Sequence, residues 1–305
     1  MRHRPGIPLR PGSLRGRASD ARVRRSEARP RLTGTGPSSP LSSEPRSPFP
    51  ASDLRRALLG ELRLVYHAQV DMRSGKVAGV ESLIRWQHPE RGLMHAVPFV
   101  HDVAAHGLAP DFMRWILVTA TRQLAEWRRR GMTMPRISVN AWPVTIGREL
   151  RDDALAAVRD AGLAPRDLEL EMQPETSFEP KTLDALREMR ASGLRIALDD
   201  FGDGDLRYLW LREAPFDTVK LGVSFVLRSA TAFDDAVIAA AVALAKTIGA
   251  VTVAEGVETV ATRDRVRALG VDIGQGFLWA RMISGDQVPA AVARIGIDGV
   301  TAVTP

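Results

Sequence analysis

Hydrophobic positions recur along the chain with two different spacings from about residue 52 onward. Short runs rich in Val, Ile and Leu are typical of buried strands, whereas apolar residues spaced three or four apart are typical of helices with one buried face. The short runs predict eight strands, at residues 62–70, 77–86, 135–140, 167–172, 194–199, 217–221, 250–254 and 271–274. The longer spacing predicts eight helices, at residues 53–60, 110–130, 147–161, 181–192, 205–213, 232–248, 259–269 and 286–294.

The order of these elements predicts the fold class. The first two strands are joined by a short turn at residues 73–76, which favours a hairpin, and helices and strands alternate after it. Alternation of this kind favours a parallel sheet, and eight strands favour a closed α/β barrel of the TIM-like (β/α)8 type. The hairpin makes it a modified barrel whose first strand is antiparallel to the second. An open doubly wound sheet is the alternative, which we disfavour because no glycine-rich phosphate loop follows the first strand.

The first 51 residues differ in composition from the rest of the chain. They hold nine of the 20 prolines and eleven arginines, with many Ser and Gly, so we expect a disordered tail over residues 1–51. A single domain is then predicted over residues 52–296, with a short C-terminal tail over residues 297–305. We interpret the first tail as a solvated segment or as sequence upstream of the true start. A basic arm that touches a membrane surface or nucleic acid is the alternative.

Charge and hydropathy exclude several classes of partner. The formal net charge is +6, but the tail alone carries +8, so the remaining residues carry −2 and no nucleic-acid partner is expected. No apolar run reaches the roughly 18 residues needed to span a bilayer. Arg24 and Arg25 are not followed by the apolar segment of an export signal, so we expect a cytoplasmic location. The chain has no cysteine, which excludes disulfides and thiolate metal sites.

Polar side chains stand where the predicted strands end. They are Glu81, Asn140, Glu171, Asp199, Asp200, Lys220 and Glu255. The carboxyl ends of barrel strands form the mouth in which chemistry takes place. Carboxylate and amide oxygens crowded into one mouth repel each other unless a cation holds them, and these ligand types suit Mg²⁺ or Mn²⁺. Each residue alone is more often a helix cap or a salt-bridge partner, but the set favours a metal site in an enzyme.

The acidic doublet suggests two ions and not one. Asp199 and Asp200 can direct one carboxylate to each ion, and Glu255 then completes the second. Two cations roughly 3.5–4 Å apart stabilise both the attacking and the leaving oxygen in phosphoryl displacement. Lys220 is one of only four lysines among 42 basic residues. Its compact ammonium suits a metal-bound water and a phosphate oxygen, although a lysine that merely offsets acidic charge is the alternative.

At these residues the chain resembles the EAL-domain family of cyclic di-GMP phosphodiesterases. The resemblance covers about residues 54–296. The signature tripeptide is Glu81-Ser82-Leu83, within VESLIRWQHPERGL. The other matching motifs are SVN at 138–140, LELE at 168–171, ALDDFG at 197–202, VKL at 219–221, VAEGVET at 253–259 and GQGFL at 274–278.

The resemblance implies hydrolysis of cyclic di-GMP to linear pGpG in a modified (β/α)8 barrel with two Mg²⁺ or Mn²⁺ ions. The implied ligands of the first ion are Glu81, Asn140, Glu171 and Asp199, and those of the second are Asp199, Asp200 and Glu255. Lys220 would position the attacking water, Glu255 would assist its deprotonation, and Glu258 would support them. Residues implied at the substrate are Arg85, Gln275, His67 and Leu83. A homodimer and a partner protein that supplies a signal are the further expected partners.

The chain departs from the family pattern around this site. The usual Gln-Pro of the first strand is His67-Ala68, and Ser82 replaces Ala in the signature. Residues 201–207 carry two extra acids, the loop-anchoring Glu is Pro174, and an Asp after the active-site lysine is Gly222. These changes concern substrate contacts and the regulatory loop. Two alternatives therefore stay open: a weak or inactive domain that acts as a cyclic di-GMP receptor or protein-interaction module, and a phosphodiesterase for another nucleotide.

Overall fold

The structure is a computed structural model, and it describes residues 48–173, 179–202, 208–213, 215–227 and 231–298. Two of the departures from the family pattern, Pro174 and residues 203–207, lie outside these residues. So does most of the predicted N-terminal tail. Within the described part of the chain, no helix is both long and apolar enough to cross a bilayer.

The strands of the described residues form one sheet. They are β1 (Leu62–Asp71), β2 (Val77–His88), β3 (Gly92–Met94), β4 (Ile137–Ala141), β5 (Leu168–Met172), β6 (Arg195–Phe201), β7 (Thr218–Leu221), β8 (Val251–Ala254), β9 (Ile273–Gln275) and β10 (Ile283–Ser284). All eight predicted strands are present with ends shifted by no more than a few residues. The short strands β3 and β10 were not predicted, because two or three residues carry no readable period.

The helices of the described residues largely match the prediction. They are α1 (Ala51–Leu58), α2 (Val97–Ala105), α3 (Ala109–Arg129), α4 (Arg148–Asp160), α5 (Pro180–Ala191), α6 (Tyr208–Glu213), α7 (Val223–Leu227), α8 (Ala232–Thr247), α9 (Val260–Ala268) and α10 (Val288–Asp298). Two single turns of 3-10 helix occur at Pro143–Thr145 and Pro165–Asp167. Only α2 and α7 were not predicted, since each is short and begins close after another element.

The sheet closes into a barrel with a reversed first strand. Strands β2, β4, β5, β6, β7, β8 and β9 are parallel neighbours in that order. Strand β1 closes the circle because it pairs antiparallel with both β2 and β9. The predicted modified (β/α)8 barrel is therefore confirmed, and the open doubly wound alternative is excluded. The turn of the initial hairpin is fixed by Asp71, which accepts hydrogen bonds from the Ser74 amide at 2.6 Å and hydroxyl at 2.7 Å.

Helix α3 illustrates how the outer layer covers the barrel. Its buried residues recur at helical spacing and include Phe112, Ile116, Ala120 and Trp127. Such a stripe faces the sheet while the opposite, charged face meets solvent. The Trp127 indole also donates a hydrogen bond to the Gly285 carbonyl at 2.9 Å, so burial of its ring leaves no polar atom unpaired.

Packing against the barrel begins before the predicted domain boundary at residue 52. Phe49 is 1% exposed, and its ring lies 5.0 Å from the ring of Trp86 between centroids. The Phe49 amide donates to Asp102 at 3.2 Å, which ties this segment to α2. A single apolar residue within a Pro-rich stretch gave no periodic signal. The boundaries of the two tails otherwise stay predictions, and α10 continues to Asp298, two residues into the predicted C-terminal tail.

Side chains of β5 alternate between the helical layer and the barrel interior. Glu169 and Glu171 lie on the inner face, because each contacts a side chain of β7, two strands away. Glu169 accepts a hydrogen bond from Thr218 at 2.7 Å, and Glu171 accepts one from Lys220 at 2.8 Å. The interior thus contains two charged layers, one near the amino-terminal ends of the strands and one at the mouth.

Candidate metal centre

The polar residues predicted at strand ends meet around one buried ammonium group. Lys220 is 1% exposed. Its Nζ lies 2.8 Å from Glu171 Oε2, 2.8 Å from Asp199 Oδ1 and 2.7 Å from Glu255 Oε1. Glu81 Oε1 is slightly farther away, at 3.7 Å. Residues from β2, β5, β6, β7 and the end of β8 therefore form a single cluster at the mouth.

Two amide side chains orient the carboxylate of Glu81. Asn140, on β4, donates from Nδ2 to Glu81 Oε1 at 2.9 Å. Gln275, at the end of β9, donates from Nε2 to Glu81 Oε2 at 2.5 Å. Both oxygens of Glu81 are thus held in fixed directions. The Asn140 carbonyl oxygen accepts only a long contact from Gln173, at 3.5 Å, so this oxygen is available as a ligand.

The cluster contains more negative than positive charge, and the pKa values reflect this. Burial raises the pKa of Glu171 well above its usual range, and repulsion from Glu81 adds to that shift. Burial also raises the pKa of Glu255 to about 8. The charge of Lys220 lowers this pKa, whereas repulsion from Asp199 and Glu81 raises it. The pKa of Lys220 is raised despite burial, because four carboxylates surround it. Carboxyl groups with raised pKa values that lie together at one barrel mouth are typical of a functional site.

Glu81 responds in the opposite direction from its neighbours. Burial alone would raise the pKa of its carboxyl group, but the charge of Lys220 and the hydrogen bonds from Gln275 and Asn140 outweigh burial and lower it. Glu81 is therefore held in its ionised form, unlike Glu171 and Glu255, whose pKa values are raised. An ionised, fixed carboxylate is suited to hold a cation.

The two adjacent aspartates reach the same side of the strand through an unusual backbone conformation. Successive side chains of a regular strand point to opposite faces. Asp200 has φ of 48°, and no other non-glycine residue among those described has a positive φ. The pairing of β6 with β7 is also irregular between Leu198 and Phe201. Aspartate tolerates this left-handed region better than most residues, so the doublet can direct both carboxylates into the mouth.

The donor set fits divalent cations. One carboxylate oxygen each from Asp199, Asp200 and Glu255 lies within 4.8 Å of the other two. Glu171 Oε1 is buried without a hydrogen-bond partner among the described residues, which is costly unless a cation approaches it. All the donors are oxygens, which favours hard ions such as Mg²⁺ and Mn²⁺ over zinc.

The segment after β8 is fixed in place by the end of β9. The Val257 amide donates to the Gln275 carbonyl at 3.0 Å, and the Leu278 amide donates to the Val257 carbonyl at 3.0 Å. Gly276 is required at this contact, because a Cβ there would lie 2.2 Å from the Val257 oxygen. Glu255 and Glu258 flank Val257, so this close contact fixes both relative to Gln275.

A cavity of about 310 Å³ opens directly above the acids. Its wall contains the predicted residues Glu81, Asp199, Asp200, Glu255, Glu258, Gln275, His67 and Leu83. Arg85 is the exception among the predicted substrate residues. Its guanidinium donates to the Ile84 carbonyl at 2.8 Å and contacts the sulfur of Met282 at 3.0 Å, so it reaches the cavity only through Met282.

His67 occupies the floor of this cavity beside Gln275. Its Nδ1 lies 3.2 Å from Gln275 Nε2, and its Nε2 is buried without a hydrogen-bond partner among the described residues. Burial lowers the pKa of His67, although Glu81 opposes the shift. A neutral imidazole therefore replaces the amide that EAL-domain sequences usually have here.

A second cavity, of about 540 Å³, shares the lining residue Leu83 with the first and is also lined by Asn140. It is mainly apolar, and Trp142, Val97 and Gln173 contribute to its wall. None of these three was predicted as a site residue. Gln173 follows Glu171 by two positions, so the strand period could have placed it at the mouth. Val97 belongs to α2, which was itself not predicted.

The topology defines the chain as an α/β TIM-like barrel with a reversed first strand and a mouth lined by acidic oxygen donors. The chain matches the EAL domain family over residues 51–282, which is most of its length. This chain belongs to the EAL-domain family.

Curated relatives support the assignment. The bifunctional diguanylate cyclase/cyclic di-GMP phosphodiesterase MucR of Pseudomonas aeruginosa is 35% identical over 246 residues, which covers 79% of this chain and 36% of MucR. The cyclic di-GMP phosphodiesterase NbdA of the same species is 32% identical, over 75% of this chain and 30% of NbdA. The chain therefore spans about a third of the length of these relatives.

Solved structures agree with the fold. The phosphodiesterase domain of PaMucR, in complex with c-di-GMP, superimposes with a TM-score of 0.73 and 33% identity, over 78% of this chain and 98% of that chain. The EAL domain of FimX from Xanthomonas citri, also in complex with c-diGMP, has a TM-score of 0.69 at 22% identity, over 76% of this chain and 92% of that chain. At that lower identity the likeness supports the fold alone.

Proposed function

We propose that this domain is a metal-dependent phosphodiesterase that hydrolyses cyclic di-GMP to linear pGpG. The observation that carries the proposal is the cluster at the mouth, in which a single ammonium group is shared by Glu81, Glu171, Asp199 and Glu255. A protein that only bound a phosphodiester would have little use for this excess of negative charge, because acids repel the ligand. The excess suits cations that in turn hold the phosphate.

The residues divide into two ligand groups. Glu81, Asn140, Glu171 and Asp199 would hold one cation, and Asp199, Asp200 and Glu255 would hold the other. Two such ions, when bound, supply Lewis-acid stabilisation of the charge that develops on phosphorus and its oxygens. The fixed orientation of Glu81 and the left-handed Asp200 keep these ligands in place before any ion arrives.

Lys220 and Glu255 both act on the attacking water. In this mechanism Lys220 orients the attacking water with its ammonium group, and Glu255 accepts the proton of that water. The water oxygen attacks phosphorus in line, the bond from phosphorus to the 3′ oxygen breaks, and that oxygen takes up a proton. Glu258, three residues further along the same irregular segment, would support Glu255.

The two cavities suit the shape of the substrate. Cyclic di-GMP carries two guanine bases on opposite sides of a small phosphodiester ring. The cavities of about 310 and 540 Å³ adjoin at Leu83, with the acids beneath the smaller one. One base would enter each cavity while a phosphate sits over the acids. His67, Gln275 and Leu83 would contact the substrate directly, and Arg85 would act at the rim through Met282.

We further propose the biological setting that the sequence predicts. The domain would work in the cytoplasm, form a homodimer, and receive its signal from a partner protein. The apolar side chains of Val223 and Leu227 on α7 line the rim of the smaller cavity and remain partly exposed. A dimer contact near that rim would couple association to the site.

A turnover assay tests the proposal. Purified protein is incubated with cyclic di-GMP and Mn²⁺, and products are separated by chromatography. We expect linear pGpG, no product in EDTA, and none from Glu255→Gln. Tight binding without turnover in the wild type would instead indicate the receptor alternative. Preferential cleavage of a different cyclic nucleotide in a substrate panel would indicate the third alternative.

A further inference from the structure

A charged cavity of about 520 Å³ lies at the opposite end of the barrel from the mouth. Its wall includes the ends of the first hairpin strands, the first residues of β8 and β9, and Arg136 just before β4. A smaller hollow of about 200 Å³ shares Asp71, Met72, Arg73 and Arg267 with it. We call the two together the basal cavity. Neither has a lining residue in common with the two cavities at the mouth.

Cations dominate the wall of the basal cavity. Arg73, Arg136 and Arg267 line the larger hollow. Lys246 stands close by, since a Cβ on the lining residue Gly270 would lie 3.3 Å from its Nζ. Neither the Arg73 nor the Arg267 side chain forms an ion pair or hydrogen bond with any residue that the structure describes. Two guanidinium groups are thus available to a ligand.

The third guanidinium is fixed in place by buried groups. Arg136 Nη2 donates to Gln69 Oε1 at 3.2 Å, and Arg136 Nε lies 3.4 Å from Glu169 Oε1. Its stem passes over Gly79, where a Cβ would lie 2.8 Å from Arg136 Cγ. Gln69 is 1% exposed, and its Nε2 has no hydrogen-bond partner among the described residues. Arg136 is therefore held in one position at the wall, as suits an anion-binding group, whereas Gln69 lies behind it and lines neither hollow.

Two acids also line the basal cavity, and both are engaged elsewhere. Asp71 Oδ1 accepts hydrogen bonds from the Ser74 amide and hydroxyl in the hairpin turn. Asp272 Oδ2 accepts from the Thr252 amide at 2.9 Å and its hydroxyl at 2.7 Å. In the larger hollow, three arginines and a nearby lysine therefore outnumber two carboxylates that serve the local backbone. A fourth arginine, Arg263, lines the smaller hollow and is paired with Asp264. The remaining wall is aliphatic, with Met72, Ala78, Val251, Val271 and Ile273.

We propose that the basal cavity binds a phosphate-bearing small molecule of about mononucleotide size. Guanidinium groups match phosphate oxygens in paired hydrogen bonds, and several around one cavity favour a multiply charged anion. The aliphatic wall covers the organic part of such a molecule. The volume of the cavity exceeds what inorganic phosphate fills. This site is separate from the mouth and does not depend on the proposed phosphodiesterase activity.

Binding to the metal-free full chain tests the proposal. Calorimetric titrations are made in EDTA with GMP, pyrophosphate, inorganic phosphate and the uncharged nucleoside guanosine. Without cations the acidic mouth repels phosphates, so binding in EDTA reports on the basal cavity. We expect GMP to bind more tightly than pyrophosphate or phosphate, and guanosine not to bind. Failure of every phosphate to bind would overturn the proposal, whatever the domain does with cyclic di-GMP.

Charge reversals locate the binding. Arg73→Glu and Arg267→Glu should each weaken GMP binding by about tenfold or more. Arg122→Glu is the matched control, because Arg122 is an exposed arginine on α3 that lines neither hollow of the basal cavity. It should leave GMP binding unchanged, and all three variants should retain the wild-type circular dichroism spectrum. Equal affinity for GMP in the wild type and both cavity variants would contradict the proposal.

Discussion

Two glutamates on one strand, both facing the barrel interior, have opposite electrostatic environments. Glu169 lies between two arginines, with Arg195 Nε at 3.0 Å and Arg136 Nε at 3.4 Å, and it also accepts a hydrogen bond from Thr218. Although burial alone would raise its pKa, these arginines lower it. Glu171, two residues later, shares one lysine with three other acids, and its pKa is raised.

The difference separates a structural charge from a functional one. Around Glu169 positive charge exceeds negative charge, so the carboxylate is stably ionised and ties β5 to its neighbours. Around Glu171 negative charge exceeds positive charge, so the folded domain gains little from ionising it. A charge cluster that does not stabilise the fold is typical of a binding site. A bound cation would supply the positive charge that balances the carboxylates around Glu171.

When Glu169 and Glu171 are substituted in turn, we expect the largest difference between the two variants in catalysis. Glu171→Gln should lower turnover of cyclic di-GMP by on the order of 10²–10³-fold. A neutral amide does not supply the negative charge that holds the cation required by the reaction. Chromatographic product assays with Mn²⁺ measure it. Glu169→Gln is the matched control from the same strand and face. We expect it to retain activity within about tenfold at a temperature where it remains folded.

The free energy of unfolding should be lowered more by Glu169→Gln than by Glu171→Gln, the reverse of the order expected for turnover. Glu169→Gln removes a fully buried carboxylate from two half-buried arginines and should cost about 3 kcal/mol of unfolding free energy. Glu171→Gln in EDTA at pH 8 should be neutral or stabilising, because it removes an acid from an overcharged cluster. Urea unfolding of the metal-free proteins compares them. Similar losses in both variants would show that the two layers do not differ as described.

The pH dependence of stability should also carry the signature of the mouth. With its pKa raised to about 8, Glu255 stays protonated in the folded domain over a range where the unfolded chain is ionised. The folded state then binds more protons, so metal-free stability falls as pH rises from about 4.5 to 8, by up to about 1.4 kcal/mol per unit. Glu255→Gln should flatten the slope measured by urea unfolding in EDTA. An unchanged slope in that variant would refute the assignment.

A smaller effect is expected where the chain departs from its family. His67→Gln restores the usual amide beside Gln275 and replaces an imidazole whose Nε2 is buried without a partner among the described residues. A recovered hydrogen bond of about 1 kcal/mol should lower KM for cyclic di-GMP roughly two- to tenfold, with kcat little changed. Steady-state kinetics would reveal the split. A fall in kcat alone would place His67 away from the substrate.

The sequence predicted the barrel and the membership of the mouth because both follow from local periods. Strand runs locate the carboxyl ends, and Asn140, Glu171 and Lys220 each stand at or next to one of them. Glu81 lies within β2, which continues to His88, but it is at the mouth because β2 pairs with β4 only over residues 80–82. The left-handed conformation of Asp200 was not predictable, since a doublet alone does not state which way each carboxylate turns. Its geometry depends on the irregular pairing of β6 with β7.

Features built from distant segments were also beyond prediction. The sequence gives no signal for the larger hollow of the basal cavity. Its three arginines, which are exposed or half-buried, come from distant segments that only closure of the barrel brings together: Arg73, Arg136 and Arg267. The different environments of Glu169 and Glu171 depend in the same way on β6 and β7. Phe49 lies in a Pro-rich stretch without any period, so its burial against Trp86 had no local signal.

The most direct test of the central claim is a calorimetric titration of the metal-free domain with Mn²⁺ at pH 8. We expect the wild type and Glu169→Gln to bind two ions, and Glu171→Gln to bind at least one of them about tenfold or more weakly. The claim would be contradicted if the wild type bound no Mn²⁺, or if Glu171→Gln and Glu169→Gln gave the same titration curve.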